Sequence, residues 1–130
     1  METYVVVVGI VKYKNKILIL KRSPTKKYSP NLWEFISGFI KDGESAEDAV
    51  LRELREETKL KGKIVHSGKP FEVKDKWSRW FIIPFLIEVK ADKIKMSREH
   101  LKYMWIEPKD IDHFKCVAGI KNDLKSVGLL

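Results

Sequence analysis

A single cysteine, Cys116, leaves this 130-residue chain no internal disulfide and fits a reducing compartment, the cytoplasm. Its expected place is that of a small buried hydrophobe in the last helix. No run of about 18 apolar residues occurs, and only Glu2, with no basic stretch, precedes the strand-like TYVVVVGIV, so neither a membrane span nor an export signal is expected. Internal repeats, low-complexity segments and a βαβ alternation are absent too. Acidic residues are the minority, 18 against 26 Lys plus Arg, and the net charge of +8 calls for anionic partners. The excess cations are not gathered into an arginine-rich tail, and neither an RNP-like aromatic strand nor a helix-turn-helix signature accompanies them. The expected partner is therefore a small phosphate-rich molecule and not a nucleic acid. One domain over 1–130 is expected, long enough to bury about two thirds of its unfolded surface.

The pattern that is present is strand-rich. Aliphatic and β-branched runs over Tyr4–Tyr13 and Lys16–Lys21, parted by Lys14-Asn15, predict a hairpin. A basic Ser/Pro loop, SPTKKYSPN, follows and is expected to overhang the active site. Short strands are expected over Trp33–Ile40, then strands over Lys63–Val73 and Trp80–Val89 separated by KDKWS, and a last one over Tyr103–Ile106. Pro108 can open a short helix, and Phe114–Val127 reads as a terminal helix. Between them, Ser45 with Asp48 three residues on is the start signal for a helix over Ala46–Thr58. Strands outnumber helices, so the predicted class is α+β, a mixed sheet held between helices.

That central helix carries the chemistry. With Ala49 at zero and about 100° per residue, Glu53 falls near 40°, Glu57 near 80° and Glu56 near 340°. All three share an arc with Ala46 and Ala49, while Glu47, Asp48 and Arg55 point the other way, as a solvated face does. Glu53 and Glu57 form a like-charge pair one turn apart, which costs on the order of a few tenths of a kcal/mol without a partner. Arg52 can pair with Glu56, but one arginine cannot neutralise three carboxylates, and no lysine enters the arc before Lys59. A hard divalent cation such as Mg²⁺, which takes few carboxylates and keeps waters for a phosphate substrate, offsets that repulsion best. An acidic run taken alone is usually a solvated face; here the spacing argues against that reading.

The segment GFIKDGESAEDAVLRELREETKL resembles the Nudix hydrolase box: Gly, five residues, Glu, seven residues, Arg-Glu, an aliphatic, any residue, Glu-Glu, any residue, Gly, an aliphatic. Gly38, Glu44, Arg52, Glu53, Leu54, Glu56, Glu57 and Leu60 stand at the matching positions. Lys59 replaces the usual glycine, a helix cap in the left-handed region, and this touches helix termination and not the chemistry. Trp33-Glu34-Phe35 precedes the box as aromatic and apolar residues do in the family, and Glu99-His100-Leu101 with Tyr103 and Trp105 is similar to its EHLxYxW segment. With Ile36-Ser37-Gly38 in place of Pro-Gly-Gly, the chain looks most like the MutT-like branch that acts on dATP and dihydroneopterin triphosphate.

The resemblance implies an α/β/α sandwich and a Mg²⁺-dependent pyrophosphohydrolase, with Mn²⁺ as a substitute. It makes Glu53, Glu56, Glu57 and the Ser37 carbonyl the metal ligands, next to Gly38, and gives Arg52 and Glu44 the role of holding that array by a salt bridge. Glu53 or Glu99 would orient or deprotonate water, Glu99 having the alternative of a solvated loop residue. Arg22 is the expected phosphate contact, with Lys26 or Lys27 steering, and Trp77 and Trp80 the expected base-stacking residues, with core packing as their alternative. Trp33 and Trp105 are assigned to packing, His66 and His113 to the surface or a strand, and His100 is near enough to Glu99 to matter. The expected reaction takes a (deoxy)nucleoside triphosphate, dATP-like or oxidised, to the monophosphate and pyrophosphate. ADP-ribose or dinucleoside polyphosphate hydrolysis, and a non-enzymatic nucleotide sensor, are the alternatives. Many family members are dimers, so a second copy of the chain is the protein partner that the resemblance brings in.

Overall fold

A computed structural model describes residues 1–130. Its centre is a parallel pair, β1 (Glu2–Tyr13) beside β7 (Ser78–Val89), in register from Glu2 opposite Ser78 to Lys12 opposite Glu88. Every other pairing is antiparallel, giving one mixed eight-stranded sheet. β2 (Lys16–Arg22) returns from β1 through a turn in which Lys14 takes φ 55, as the hairpin reading expects, and β4 (Ile36–Phe39) pairs with the middle of β1, over Val6–Gly9. β3 (Trp33–Glu34) and β8 (His100–Ile106) flank β2, while β5 (Gly62–Ser67) and β6 (Phe71–Lys74) share the far side of β7.

Strand alternation sorts the aliphatic side chains into two cores, one on each face of the sheet. Val7, Val11, Leu18, Leu20, Ile36 and Ile87 pack with Ala49, Val50 and Leu54 of helix α1 (Ala46–Thr58). Val8, Ile10, Ile17, Ile19 and Phe35 pack on the other face with Ile111 and with Ile120 and Leu124 of helix α2 (Ile120–Ser126). This is the expected α+β sandwich. Gly9 lets α1 lie close, because a Cβ there would stand 3.1 Å from Val50 Cγ2 and 3.0 Å from Ile87 Cδ1. Leu54 is fully buried in the α1-side core, and truncation of such a side chain to alanine costs about 2–5 kcal/mol.

Both ends of α1 are fixed locally. Ser45 Oγ accepts the Asp48 N–H at 3.0 Å, and Lys59, at φ 64, donates its N–H to the Arg55 carbonyl at 2.9 Å. Thr58 Oγ1 then donates to the Leu54 carbonyl at 2.6 Å and accepts the Leu60 N–H at 3.1 Å, so the turn that usually takes glycine is held by a lysine backbone and a buried hydroxyl.

Three expectations are corrected. The single strand over Lys63–Val73 is two strands, because Gly68-Lys69-Pro70 interrupts it and Pro70 has no N–H to give a ladder. The terminal helix spans only Ile120–Ser126: Trp33 exchanges backbone hydrogen bonds with Lys115 and Val117 (2.9 and 3.0 Å), and Gly119 turns at φ 88 to start the helix. Cys116 therefore bridges to Trp33 outside any helix, half-buried. The last strand begins at His100 and not at Tyr103. Pro108 does open a short helix, as expected, a 3₁₀ helix over Pro108–His113.

Candidate functional site

Gly38 lies in β4 opposite Val7, with the Glu53 carboxylate drawn across it: a Cβ on residue 38 would sit 2.2 Å from Glu53 Oε1. Only glycine leaves room for that side chain, which explains a glycine here without any unusual backbone angle. Ser37 is its immediate neighbour on β4, opposite Val8.

Arg52 organises one half of the acidic surface. Its Nε and Nη2 donate to the two oxygens of Glu44 at 2.7 and 3.0 Å, the two-pronged geometry that suits a guanidinium and a carboxylate. Nη2 also reaches the Phe39 carbonyl at 2.9 Å, and Nη1 donates to Glu53 Oε1 at 2.9 Å and to both oxygens of Glu56 at 3.3 and 3.2 Å. Glu44 additionally accepts the Lys41 N–H at 3.0 Å. The Arg52 guanidinium, helped by that backbone donor, holds the Glu44 carboxyl down at about 2. The same carboxylates, Glu44 first, hold the Arg52 proton more firmly than usual.

Glu57 is in a different situation. Its side chain is 4% exposed, against 15% for Glu53 and 51% for Glu56, so the three box carboxylates share one face but descend from solvent to core. No guanidinium reaches Glu57, and its Oε2 is buried without a partner. Burial first, then hydrogen bonding with Glu53 and the charges of Glu53, Glu34 and Glu99, push its carboxyl well above the usual range. His100 Nε2 stands 3.9 Å from Glu57 Oε1 and 2.8 Å from Glu34 Oε2. Ligand atoms of Glu57, Glu99 and His100 all fall within 4.8 Å of one another. A buried oxygen with no donor, in a shell of oxygen ligands and an imidazole, is the arrangement a cation satisfies.

The remaining predicted residues lie around this acidic cluster or away from it. Arg22 is turned inward: Nη1 donates to both Glu34 oxygens at 3.0 and 3.1 Å, while Nε and Nη2 donate to the Tyr28 carbonyl at 3.2 and 2.9 Å. Lys26, in the Ser/Pro loop, stands 3.5 Å from Glu99 Oε1. Trp80 is half-buried and stacks on Tyr4 with ring centroids 4.5 Å apart, with Phe39 at 6.4 Å. Trp77 is 73% exposed at the turn between β6 and β7, under the Lys76 ammonium. Trp33 packs in the α2-side core, and Trp105 packs on the α1-side core while donating to the Asp92 carbonyl at 2.9 Å. His66 and His113 are exposed.

Sequence reasoning missed Glu34, read there only as part of an aromatic-apolar approach to the box. The available signal was a carboxylate between Trp33 and Phe35, both of which belong to the core. His100 had been noted for its closeness to Glu99, but its contact with Glu34, sixty-six residues away in sequence, is tertiary.

Comparison with known proteins places this geometry. The NUDIX domain model matches residues 3–124. The chain is 37% identical over 110 residues to an 8-oxo-dGTP diphosphatase of Buchnera aphidicola subsp. Schizaphis graminum, covering 84% of this chain and 81% of that protein. It is 22% identical over 148 residues to the nucleoside triphosphatase NudI of Escherichia coli, with both chains covered in full. Among solved structures, a MutT NUDIX hydrolase from Burkholderia pseudomallei superposes with a TM-score of 0.84 at 18% identity, over 98% of this chain and 99% of that one. The E. coli dihydroneopterin triphosphate pyrophosphohydrolase shares the fold at a TM-score of 0.71 and 19% identity, over 97% of this chain and 98% of that one. No helix is long and apolar enough to cross a membrane. With a family model over nearly the whole chain and the box residues gathered at one end of β4 and α1, the protein belongs to the NUDIX family as a MutT-like hydrolase.

Proposed function

We propose that the protein is a Mg²⁺-dependent nucleotide pyrophosphohydrolase, with Mn²⁺ able to substitute, that takes a (deoxy)nucleoside triphosphate, dATP-like or oxidised at the base, to the monophosphate and pyrophosphate. The observation that carries this reading is the unpartnered, buried Glu57 Oε2 beside Glu53, Glu99 and His100. Glu53, Glu56, Glu57 and the Ser37 carbonyl would hold the cation. A divalent ion there screens the phosphate charge and lowers the pKa of bound water. Arg52, fixed by Glu44, keeps Glu53 and Glu56 aimed without reorganisation on binding.

In the reaction, the water oxygen bonds to phosphorus as the bridging P–O bond breaks. One water proton passes to a carboxylate, and the leaving pyrophosphate takes the broken bond's electron pair. Glu99 suits proton uptake, since its carboxylate is exposed and paired only with Lys26, whereas Glu53 Oε1 is committed to Arg52. Lys26 draws the phosphates in, and the Trp80–Tyr4–Phe39 surface or the exposed Trp77 offers a base an aromatic face. The names of the relatives, an 8-oxo-dGTP diphosphatase and a nucleoside triphosphatase, favour the triphosphate class.

The test is a panel of (deoxy)nucleoside triphosphates, 8-oxo-dGTP, ADP-ribose and dinucleoside polyphosphates with Mg²⁺ or Mn²⁺, scoring pyrophosphate against phosphate release. Expected are pyrophosphate from a triphosphate and its loss with EDTA or in Glu56→Gln. Turnover unchanged by both treatments would sink the mechanism, and release confined to ADP-ribose would replace the substrate.

A further inference from the structure

Glu34 is more than nine-tenths buried, and a buried carboxylate is tolerated only when its lone pairs are met. Here Arg22 supplies two hydrogen bonds and His100 a third. The set is assembled across three neighbouring strands: Leu20 of β2 pairs with Glu34 of β3, and the bulge between Lys21 and Arg22 brings Arg22 opposite His100 of β8. An apolar trio at such a place is commonly as stable as a buried ionic one. What distinguishes this trio is what lies at its two ends. At one end the His100 imidazole borders Glu57 Oε1; at the other the Arg22 fork closes on the Tyr28 carbonyl and pins the Ser/Pro loop. Lys26 against Glu99 and the Ser23 N–H donated to the Glu99 carbonyl at 3.1 Å tie the same loop to the same wall.

We infer that Glu34 is a positioning residue, the centre of an Arg22–Glu34–His100 brace that fixes the Glu57 carboxylate for the cation and locks the loop over residues 23–32 to it. Arg22 then acts on the substrate through that loop and not as a phosphate contact, because all three of its guanidinium nitrogens are already engaged. His100, whose Nε2–H is given to Glu34, presents its ring edge to Glu57 and leaves Nδ1 buried without a partner. Carboxylate partners of an imidazole next to a metal site set the ring's orientation, and their loss typically costs about 10–100-fold in metal affinity or activity. The inference rests on the cation reading above for the role of Glu57, but not for the loop.

The test is made on the full chain with Glu34→Gln, Arg22→Lys and His100→Asn, after thermal melts identify which variants fold. Three quantities are measured: Mn²⁺ binding followed by electron paramagnetic resonance without substrate, kcat and KM on the best triphosphate of the panel, and hydrogen exchange of amides 23–32. Expected for Glu34→Gln are Mn²⁺ affinity and kcat each lower by about 10-fold or more, with KM within about 3-fold. Exchange in the loop should quicken in Glu34→Gln and in Arg22→Lys, which keeps the charge but loses the fork. His100→Asn carries the Mn²⁺ comparison if Glu34→Gln does not fold. Wild-type Mn²⁺ affinity and kcat in a folded Glu34→Gln protein would overturn the brace, as would wild-type exchange of amides 23–32 in a folded Arg22→Lys protein. Should the unaltered protein bind no Mn²⁺, the cation reading fails by itself, and loop exchange in Glu34→Gln still decides whether the brace exists.

Discussion

Two groups of carboxylates meet at Glu53, and they are built to opposite plans. On the solvent side Glu44, Glu53 and Glu56 converge on Arg52, which gives every one of them a donor. On the core side Glu57, with Glu99 and His100 beside it, has no cationic side chain bonded to it and keeps an oxygen without a partner. The uncompensated carboxylate is therefore on the core side. Three acidic residues within one helical turn look equivalent in sequence, yet an internal arginine already answers two of them, and the unanswered charge is concentrated on the most buried one. The solvent-side group is satisfied within the chain; the core-side group keeps one buried oxygen that is not.

The change that strikes this contrast hardest is Arg52→Ala. It leaves Glu53 and Glu56 without the Arg52 donor and Glu44 with only the Lys41 N–H, so both folding and turnover suffer. We expect the melting temperature to fall by several degrees and kcat/KM by about 100-fold or more. Thermal melts with steady-state kinetics check this, and a variant that loses activity alone would make the clamp purely a substrate contact.

An intermediate effect is expected from pH. Glu44 is held at about 2 against an ordinary 4.5, so its contribution to stability is present above about 4.5 and is lost only as pH falls through about 2. Glu57 is raised, so its contribution is full below its ordinary value and is lost as pH rises through its folded one. The metal-free protein should thus gain stability as pH falls from neutral toward about 4.5 and lose it under strongly acidic conditions. Asp123, buried in α2 and raised by that burial to about 8, acts in the same direction as Glu57. Comparison of melts from pH 3 to 9 for the parent, Glu57→Gln and Asp123→Asn separates the two. An unchanged pH profile in Glu57→Gln would remove the contrast between the two carboxylate groups.

The smallest effect concerns the helix that carries both groups. Lys59 sits at φ 64, where a residue with a Cβ is strained, so Lys59→Gly should stabilise by about 1 kcal/mol or less in denaturant titrations and leave the kinetics alone. A kinetic effect would mean that the cap also sets the position of Glu56 and Glu57.

What was legible in the sequence follows the range of the interactions responsible. The bounds of α1, its Ser45 cap and the shared face of Glu53, Glu56 and Glu57 depend on neighbours within four residues, and all are found where the helical period puts them. The β1–β2 hairpin was legible for the same reason. The terminal helix was overextended because residues 115–117 are claimed by Trp33, more than eighty residues earlier, a competition that local periodicity does not contain. Arg22 was expected at the phosphate because its strand resembles the family's; its hydrogen bonds to Glu34 and the histidine that completes the trio come from tertiary pairing. The graded burial that singles out Glu57 is likewise invisible on a wheel, which gives direction around the axis but not depth in the fold.

Whether Glu57 is the carboxylate that a cation compensates is decided by melting temperature with and without millimolar Mg²⁺ in the parent and in Glu57→Gln. Binding to the folded state alone raises stability with the ratio of ligand concentration to Kd. We expect a parent stabilised by Mg²⁺, and a Glu57→Gln protein that melts higher than the parent without metal and gains nothing from Mg²⁺. A Glu57→Gln protein that responds to Mg²⁺ as the parent does would contradict this role of Glu57.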